Sequence, residues 1–121
     1  MKILLADDEP MIRNLYRDML EGNHHHVQAV SDGTEVLERL AEEAFDLLIL
    51  DLHMPKLDGF KTLLELKKRN KQIPVIVMSG HYPDDVVNER ISGLGVVEFL
   101  RKPVMITALQ HAVDRVRNGD K

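Results

Sequence analysis

The stretch DLLILDLHMPKLDG, residues Asp46–Gly59, decides the fold of this chain. Four apolar residues in succession, 47–50, run into Asp51, and Pro55 then prevents the strand from continuing. A short apolar run without alternation is typical of a strand buried on both faces, as in a parallel sheet. The pattern therefore predicts a central strand that leaves a carboxylate at its carboxyl end, where open α/β sheets bind ligands. Asp51 alone could equally be a turn residue, because acids are common in turns.

The composition limits the class of protein. The 121 residues suit one domain with one core, and we expect a single domain over residues 1–121 with no output domain. Sixteen basic and 20 acidic residues give a net charge of −4 without a basic block, which argues against direct nucleic-acid binding. The absence of cysteine excludes disulfides and thiolate zinc sites. The apolar run at 3–6 is too short for a signal peptide or a membrane span, so we expect a soluble, cytoplasmic protein without membrane contact.

Apolar runs and helical stripes alternate along the whole chain. Strand-like runs lie at 3–6, 27–30, 47–50, 75–78 and 96–100. An apolar stripe at helical spacing follows each run, with Leu15 in the first stripe and Leu94 in the fourth. Strand–helix pairs of about 20 to 25 residues predict βαβ units. We therefore predict a three-layer, doubly wound α/β sandwich with five parallel strands and five helices.

Polar side chains follow four of the predicted strands. Asp7 and Asp8 come after the first, Asp51 after the third, Ser79 after the fourth and Lys102 after the fifth. In a parallel sheet these ends lie along one edge, where ionised carboxylates about 4 Å apart would repel by roughly 4 kcal/mol at an effective dielectric near 20. A cation would relieve that repulsion, and hard oxygen ligands favour Mg²⁺.

A carboxylate beside a metal ion and an ammonium group is suited to phosphoryl transfer, with the carboxylate as nucleophile. Each residue also has an ordinary explanation: Asp8 as a helix-start acid, Ser79 as a turn residue and Lys102 as a solvated loop cation. The arrival of all five at strand ends in one register favours a site.

Four motifs, taken together, carry a family resemblance. They are ADDEP at 6–10, DLHMPKLDG at 51–59, MSG at 78–80 and RKP at 101–103. In their order and spacing, the chain resembles a receiver domain of the two-component response regulators, of the chemotaxis-regulator-like kind, along essentially its whole length. The resemblance implies a flavodoxin-like fold with strand order 2-1-3-4-5.

The resemblance also implies roles for the acidic residues. Asp51 would accept a phosphoryl group from a sensor histidine kinase or a phosphotransfer protein. Asp8 and Asp51 would bind Mg²⁺, or Mn²⁺, directly, with the backbone carbonyl of His53 as a third ligand and Asp7 acting through a water. Lys102 would contact the phosphoryl group. Such a domain is a switch rather than an enzyme, although it promotes its own phosphoryl transfer and hydrolysis.

Further implied features concern the switch. Ser79 would be the hydroxyl that moves toward the phosphoryl oxygens, and Phe99 the aromatic residue whose rotamer reports that movement. The bond between Lys102 and Pro103 would be cis, which proline makes accessible. The fourth helix, fifth strand and last helix would form the face that meets a downstream output domain or protein. A phosphorylation-dependent homodimer through the fourth and fifth helices is a further hypothesis.

The histidines leave alternatives open. His53 and His81 follow the acceptor and the switch hydroxyl by two residues each, at positions that influence rates in the family. Their imidazoles could orient water, block it, or change charge near neutral pH. Alternatively they are two exposed loop residues of modest kinetic effect. The run His24–His26 is interpreted as a solvated loop that enters an edge strand, not as a metal site.

Two other classes of protein are rivals. A phosphatase of the haloacid dehalogenase type also forms an aspartyl-phosphate, but it uses a second aspartate where this chain has His53. A pseudo-receiver would keep the fold as an interaction module without phosphorylation, and the joint presence of the acids, Ser79 and Lys102 argues against it. The polar end at 117–121 fits either a tail or the start of a linker.

Overall fold

Five strands alternate with five helices in the computed structural model, which describes residues 1–119. The elements are β1 Lys2–Ala6, α1 Pro10–Gly22, β2 His26–Val30, α2 Gly33–Glu42, β3 Leu47–Asp51, α3 Gly59–Lys68, β4 Val75–Ser79, α4 Asp84–Ile91, β5 Val96–Arg101 and α5 Ile106–Arg117. The predicted number, type and order of elements are confirmed. Asp120 and Lys121, which belong to the predicted domain and its polar end, lie outside the described residues.

The strands form one parallel sheet in the order β2-β1-β3-β4-β5. Every residue of β3 and β4 is buried, as expected for unalternating apolar runs at the centre of a parallel sheet. Ala6 pairs with Leu50, and Asp51 pairs with Met78. This register brings the carboxyl ends of the three central strands to one edge and confirms the predicted strand order.

Successive residues of the central strands point to opposite faces, and each face has its own apolar core. Leu4 and Leu48 lie in a core with buried residues of α2, α3 and α4. Ile3 and Ile49 lie in a second core with buried residues of α1 and α5. The sheet is therefore the middle of three layers, as predicted.

Three local predictions are wrong. Leu15 is 45% exposed, because α1 packs on the sheet through a narrower stripe than its apolar spacing suggested. Leu94 lies beyond α4, which ends at Ile91 and is followed by a connection containing two positive-φ glycines. His25 is not solvated: it is only 5% exposed, and its Nδ1 lies 3.0 Å from the amino-terminal nitrogen of Met1.

The end of the last helix agrees with the sequence pattern. The helix α5 ends at Arg117, and Gly119 follows with a φ of 75°, a conformation that glycine adopts readily. Within residues 1–119, no helix is both long enough and apolar enough to span a membrane.

Candidate functional site

The carboxyl edge of the sheet collects the residues that the sequence placed there. Asp7 directly follows β1, Asp51 ends β3 and Ser79 ends β4, and all three are buried. Asp8 is partly buried at the start of the connection to α1. Lys102 follows β5 and points back to the same place, since its Nζ donates a hydrogen bond to Asp51 Oδ2 at 2.9 Å. The side chains of Asp7, Asp8, Asp51 and Lys102 therefore lie together, and Ser79 ends the neighbouring strand at the same edge of the sheet.

The ammonium group of Lys102 contacts three carboxylates. Besides Asp51, Lys102 Nζ contacts Asp7 Oδ2 at 3.1 Å and Glu9 Oε1 at 3.5 Å. Only 15% of the lysine side chain is exposed, whereas that of Glu9 is 61% exposed. Glu9 was not predicted as a site residue, although it continues the acidic run that begins at Asp7. Its exposure makes it the weakest of the three partners, because solvent screens its charge.

The acids form a compact cluster of oxygen ligands. Asp7, Asp8, Glu9 and Asp51 each offer a carboxylate oxygen, and these atoms lie within 4.8 Å of one another. Backbone amides fix two of the groups, since the N–H of Glu9 donates to Asp7 Oδ1 and that of His53 to Asp51 Oδ1, both at 3.0 Å. Hard oxygen donors in this number suit a divalent cation such as Mg²⁺.

Burial sets the protonation behaviour of the central pair. Burial raises the pKa of Asp51 above the ordinary value, outweighing the opposing effects of the His53 N–H and of Lys102. Burial by itself would lower the pKa of Lys102, but the hydrogen bond and charge of Asp51, with those of Asp7, raise it overall. The lysine therefore stays cationic, while the ionised form of Asp51 is held at a cost that an added cation would reduce.

Ser79 carries a buried hydroxyl at the carboxyl end of β4. Its side chain is fully buried, and its Oγ has no hydrogen-bond partner within the part of the chain that the structure describes. An unpaired buried hydroxyl typically costs on the order of 1–3 kcal/mol. A hydroxyl in that state at the edge shared with Asp51 and Lys102 is suited to an oxygen-rich ligand.

The two loop histidines lie against each other. The rings of His53 and His81 have centroids 3.9 Å apart and an interplanar angle of 30°, although both residues are exposed. This contact joins the β3–α3 connection to the β4–α4 connection beside Asp51. The sequence placed each histidine near the site but gave no signal that they touch.

Contacts around the β4–α4 connection were also missed by sequence reasoning. Arg101 donates to the backbone carbonyl of Tyr82 and pairs with Asp84 at 3.2 Å. The Tyr82 ring meets Phe60 edge to face at 5.3 Å, and the Arg90 guanidinium lies 3.7 Å from the Phe60 centroid. Arg101 belongs to the RKP motif, but its partners Tyr82 and Asp84 lie 19 and 17 residues earlier and, like Phe60 and Arg90, in none of the quoted motifs. They anchor the segment that follows Ser79 to its neighbours.

Two predictions next to the site have different outcomes. The Lys102–Pro103 peptide bond is cis, as predicted. Phe99 is partly buried, packs against the core under α2, α3 and α4, and pairs with Val77 of β4. Its role as a switch residue stays a prediction, as does the carbonyl of His53 as a metal ligand.

Comparison with known proteins identifies the family. The model of the response regulator receiver domain matches residues 3–114, and the chain belongs to this family. It is 35% identical over 119 residues to the response regulator MprA of Mycobacterium leprae, covering 97% of this chain and 50% of that protein. The chain thus spans about half the length of the curated relatives it matches.

Solved structures agree with this assignment. A receiver domain of the Francisella response regulator 1452 superposes with a TM-score of 0.90 at 30% identity, covering 99% of this chain and 98% of that one. A response regulator receiver domain protein from Clostridium thermocellum gives a TM-score of 0.82 at 36% identity, covering 97% and 94%. The chain is therefore a phosphoacceptor domain of two-component signalling, and its fold is the flavodoxin-like one that the sequence predicted.

Proposed function

We propose that Asp51 is the residue that accepts the phosphoryl group, from the phosphohistidine of a sensor kinase or a phosphotransfer protein. The observation that carries this proposal is the 2.9 Å contact between Lys102 Nζ and Asp51 Oδ2 inside a cluster of four acids. A buried carboxylate with an ammonium beside it, and with ligands for a second cation, meets the needs of a phosphoryl acceptor.

The acidic cluster fits a Mg²⁺ or Mn²⁺ ion. Asp8, Asp51 and the backbone carbonyl of His53 are the proposed direct ligands, and Asp7 is proposed to act through a water. When bound, the ion neutralises charge on the transferring phosphoryl group. The oxygen-only donor set supports this assignment, and so does the raised pKa of Asp51, which an added cation would offset.

The residues of the chain account for the transfer step. A carboxylate oxygen of Asp51 attacks phosphorus, the phosphorus–nitrogen bond of the donor breaks, and its electron pair returns to the donor imidazole. Lys102, whose Nζ lies 2.9 Å from Asp51 Oδ2, would contact the phosphoryl oxygens, and Ser79 would supply a hydroxyl that has no partner among the described residues. Hydrolysis then breaks the new phosphorus–oxygen bond when water attacks phosphorus, which regenerates the Asp51 carboxylate and releases phosphate.

Phosphorylation would act as a switch through altered contacts. The phosphoryl group adds about two negative charges, and it shifts the conformation only as far as its contacts differ between the two states. Ser79 and Lys102 provide those contacts, and Phe99 is proposed to follow the movement of Ser79. The surface formed by α4, β5 and α5 is proposed to meet the output domain or protein. A phosphorylation-dependent homodimer through α4 and α5 would use part of this surface.

His53 and His81 are proposed to modulate the rates of phosphorylation and hydrolysis. Their rings contact each other, and the backbone N–H of His53 donates to the Asp51 carboxylate, which anchors the pair next to the proposed acceptor. The pair would limit the approach of water and of small donors from this side. The variant His81→Ala removes one ring of the pair and leaves His53 in place. We expect the lifetime of the phosphoryl group on Asp51 to change in this variant.

Intact-mass spectrometry tests the proposed acceptor. The protein is incubated with acetyl phosphate and Mg²⁺, next to a sample with EDTA and the variants Asp51→Asn and Asp18→Asn. We expect one phosphoryl adduct in the wild type and in Asp18→Asn, where the replaced acid lies on the exposed side of α1. We expect none with EDTA or in Asp51→Asn. An adduct that survives in Asp51→Asn would refute the assignment. Failure of the wild type both to form an adduct and to bind beryllofluoride would favour an interaction module.

A further inference from the structure

Tyr16 makes a buried hydrogen bond that connects α1 to the segment carrying Lys102. Its side chain is 3% exposed, and its hydroxyl donates to the backbone carbonyl of Val104 at 2.9 Å. Val104 lies in the β5–α5 connection, two residues after Lys102. Burial raises the pKa of Tyr16, so the phenol keeps the proton that it donates. A single side chain thus bonds the connection between β5 and α5 to a helix on the same side of the sheet.

A second hydrogen bond connects α1 to the acidic cluster. Arg13, one turn before Tyr16, donates from Nη1 to the backbone carbonyl of Asp7 at 2.9 Å. The helix α1 therefore contacts both sides of the site: the end of β1, which carries Asp7, and the connection that carries Lys102. The distance between these two sides determines whether one ammonium can reach Asp7 and Asp51 together, as it does at 3.1 and 2.9 Å.

We propose that Tyr16 is a positioning residue for Lys102, which holds the β5–α5 connection so that the ammonium meets the phosphoryl group on Asp51. This inference rests on the proposed function of Asp51. Lysine has a long, flexible side chain, and small shifts of its backbone change where a contact of about 3 Å can form. The Tyr16 hydroxyl donates to the β5–α5 connection and not to an acid of the cluster, so we expect its loss to act on the reaction through the position of the lysine.

The variant Tyr16→Phe removes the hydroxyl and keeps the ring that packs in the core. We expect phosphorylation by acetyl phosphate at saturating Mg²⁺ to slow by about three- to tenfold, the effect of losing one well-placed hydrogen bond. The affinity for Mg²⁺ should stay within about twofold of the wild-type value, because the acids keep their own bonds.

Thr62→Val is the matched control. Thr62 is fully buried on α3, and its hydroxyl also donates to a backbone carbonyl, that of Asp58, at 2.7 Å. Its loss should reduce stability in urea by an amount similar to that in Tyr16→Phe, while the phosphorylation rate stays within about twofold of the wild type. Equal slowing in both variants would mean that the rate follows general stability, and would overturn the proposal.

A double-mutant cycle with Lys102→Ala separates positioning from other effects. If Tyr16 acts through the lysine, the change Tyr16→Phe should slow the wild type but leave the rate of the Lys102→Ala variant unchanged within about twofold. Intact mass followed over hours makes the slow background measurable. The same slowing in both backgrounds, or none in the wild type, would overturn the inference. A wild type that forms no adduct at all would instead refute the proposed function.

Discussion

Removing the charge of Asp51 should stabilise the protein in the absence of metal. With oxygens within 4.8 Å, the less exposed acids Asp7 and Asp8 each repel Asp51 by roughly 3.5 kcal/mol at an effective dielectric near 20, together roughly 7 kcal/mol. The charge of Glu9 is left out of this sum because its side chain is 61% exposed and solvent screens it. Lys102 at 2.9 Å attracts it by roughly 6 kcal/mol on the same scale. Because these contributions nearly cancel, the cost of burying the carboxylate decides the sign. We expect Asp51→Asn to be more stable by about 1 to 2 kcal/mol.

Urea unfolding at pH 7 in EDTA measures this effect. The expected gain corresponds to a rise of roughly 0.5 to 1 M in the urea midpoint for a protein of this size. The control variant Asp18→Asn lacks an exposed acid of α1 and should stay within about 0.5 kcal/mol of the wild type. Adding Mg²⁺ should stabilise the wild type more than Asp51→Asn, because a proposed ligand is missing in the variant. The stability gap should therefore narrow.

The dependence on pH has a defined sign. Burial raises the pKa of Asp51, so the folded protein holds this proton more tightly than the unfolded chain, whose carboxyl titrates near about 3.9. The wild type should lose stability relative to Asp51→Asn as the pH rises from that value through the raised pKa. The gap should thus be smaller at pH 4 than at pH 7. If the variant is less stable than the wild type by 1 kcal/mol or more in EDTA, the ion pair with Lys102 dominates and the reasoning is wrong.

Two further predictions concern the scaffold. A Cβ at Gly33 would lie 2.3 Å from the carbonyl oxygen of Leu57, so Gly33→Ala should lower the free energy of unfolding by about 1–3 kcal/mol in urea, whereas Gly22→Ala, with nothing within 4 Å, should not destabilise. Burial and then the amino-terminal charge lower the pKa of His25, so stability that is present above about pH 6.5 should be lost as the pH falls. Thermal unfolding of His25→Gln should show less loss between about pH 7 and 5, and an equal loss would contradict the assignment.

The fold could be predicted because each strand is a short apolar run in a regular alternation. The runs at 47–50 and 75–78 have no polar position, which only a strand covered on both faces allows, and both lie at the centre of the sheet. The convergence of Asp7, Asp51 and Ser79 followed from parallel topology alone. Leu15 and Leu94 were misplaced because helical spacing defines a face but neither its width nor the end of the helix.

The rest of the site depends on contacts between residues distant in sequence. The bond from Tyr16 to Val104 joins residues 88 positions apart, and in the sequence Tyr16 is only one member of an apolar stripe. The contact between the rings of His53 and His81 depends on the paths of two loops, and side-chain periodicity carries no information about those paths. His25 was interpreted as solvated because three consecutive histidines suggest a polar loop. The ammonium of Met1 lies beside it through the pairing of β1 with β2.

The contacts of Lys102 and Ser79 provide a physical basis for the proposed switch. In the described structure the Lys102 ammonium divides its hydrogen bonds among Asp51, Asp7 and Glu9, while the Ser79 hydroxyl makes none. A phosphoryl group on Asp51 would place new oxygens between these two side chains, so the lysine would shift its contacts and the hydroxyl would gain one. Both changes begin at the carboxyl ends of β4 and β5, which lead directly into the connections to α4 and α5. The proposed output surface, formed by α4, β5 and α5, therefore directly adjoins the two side chains that would rearrange.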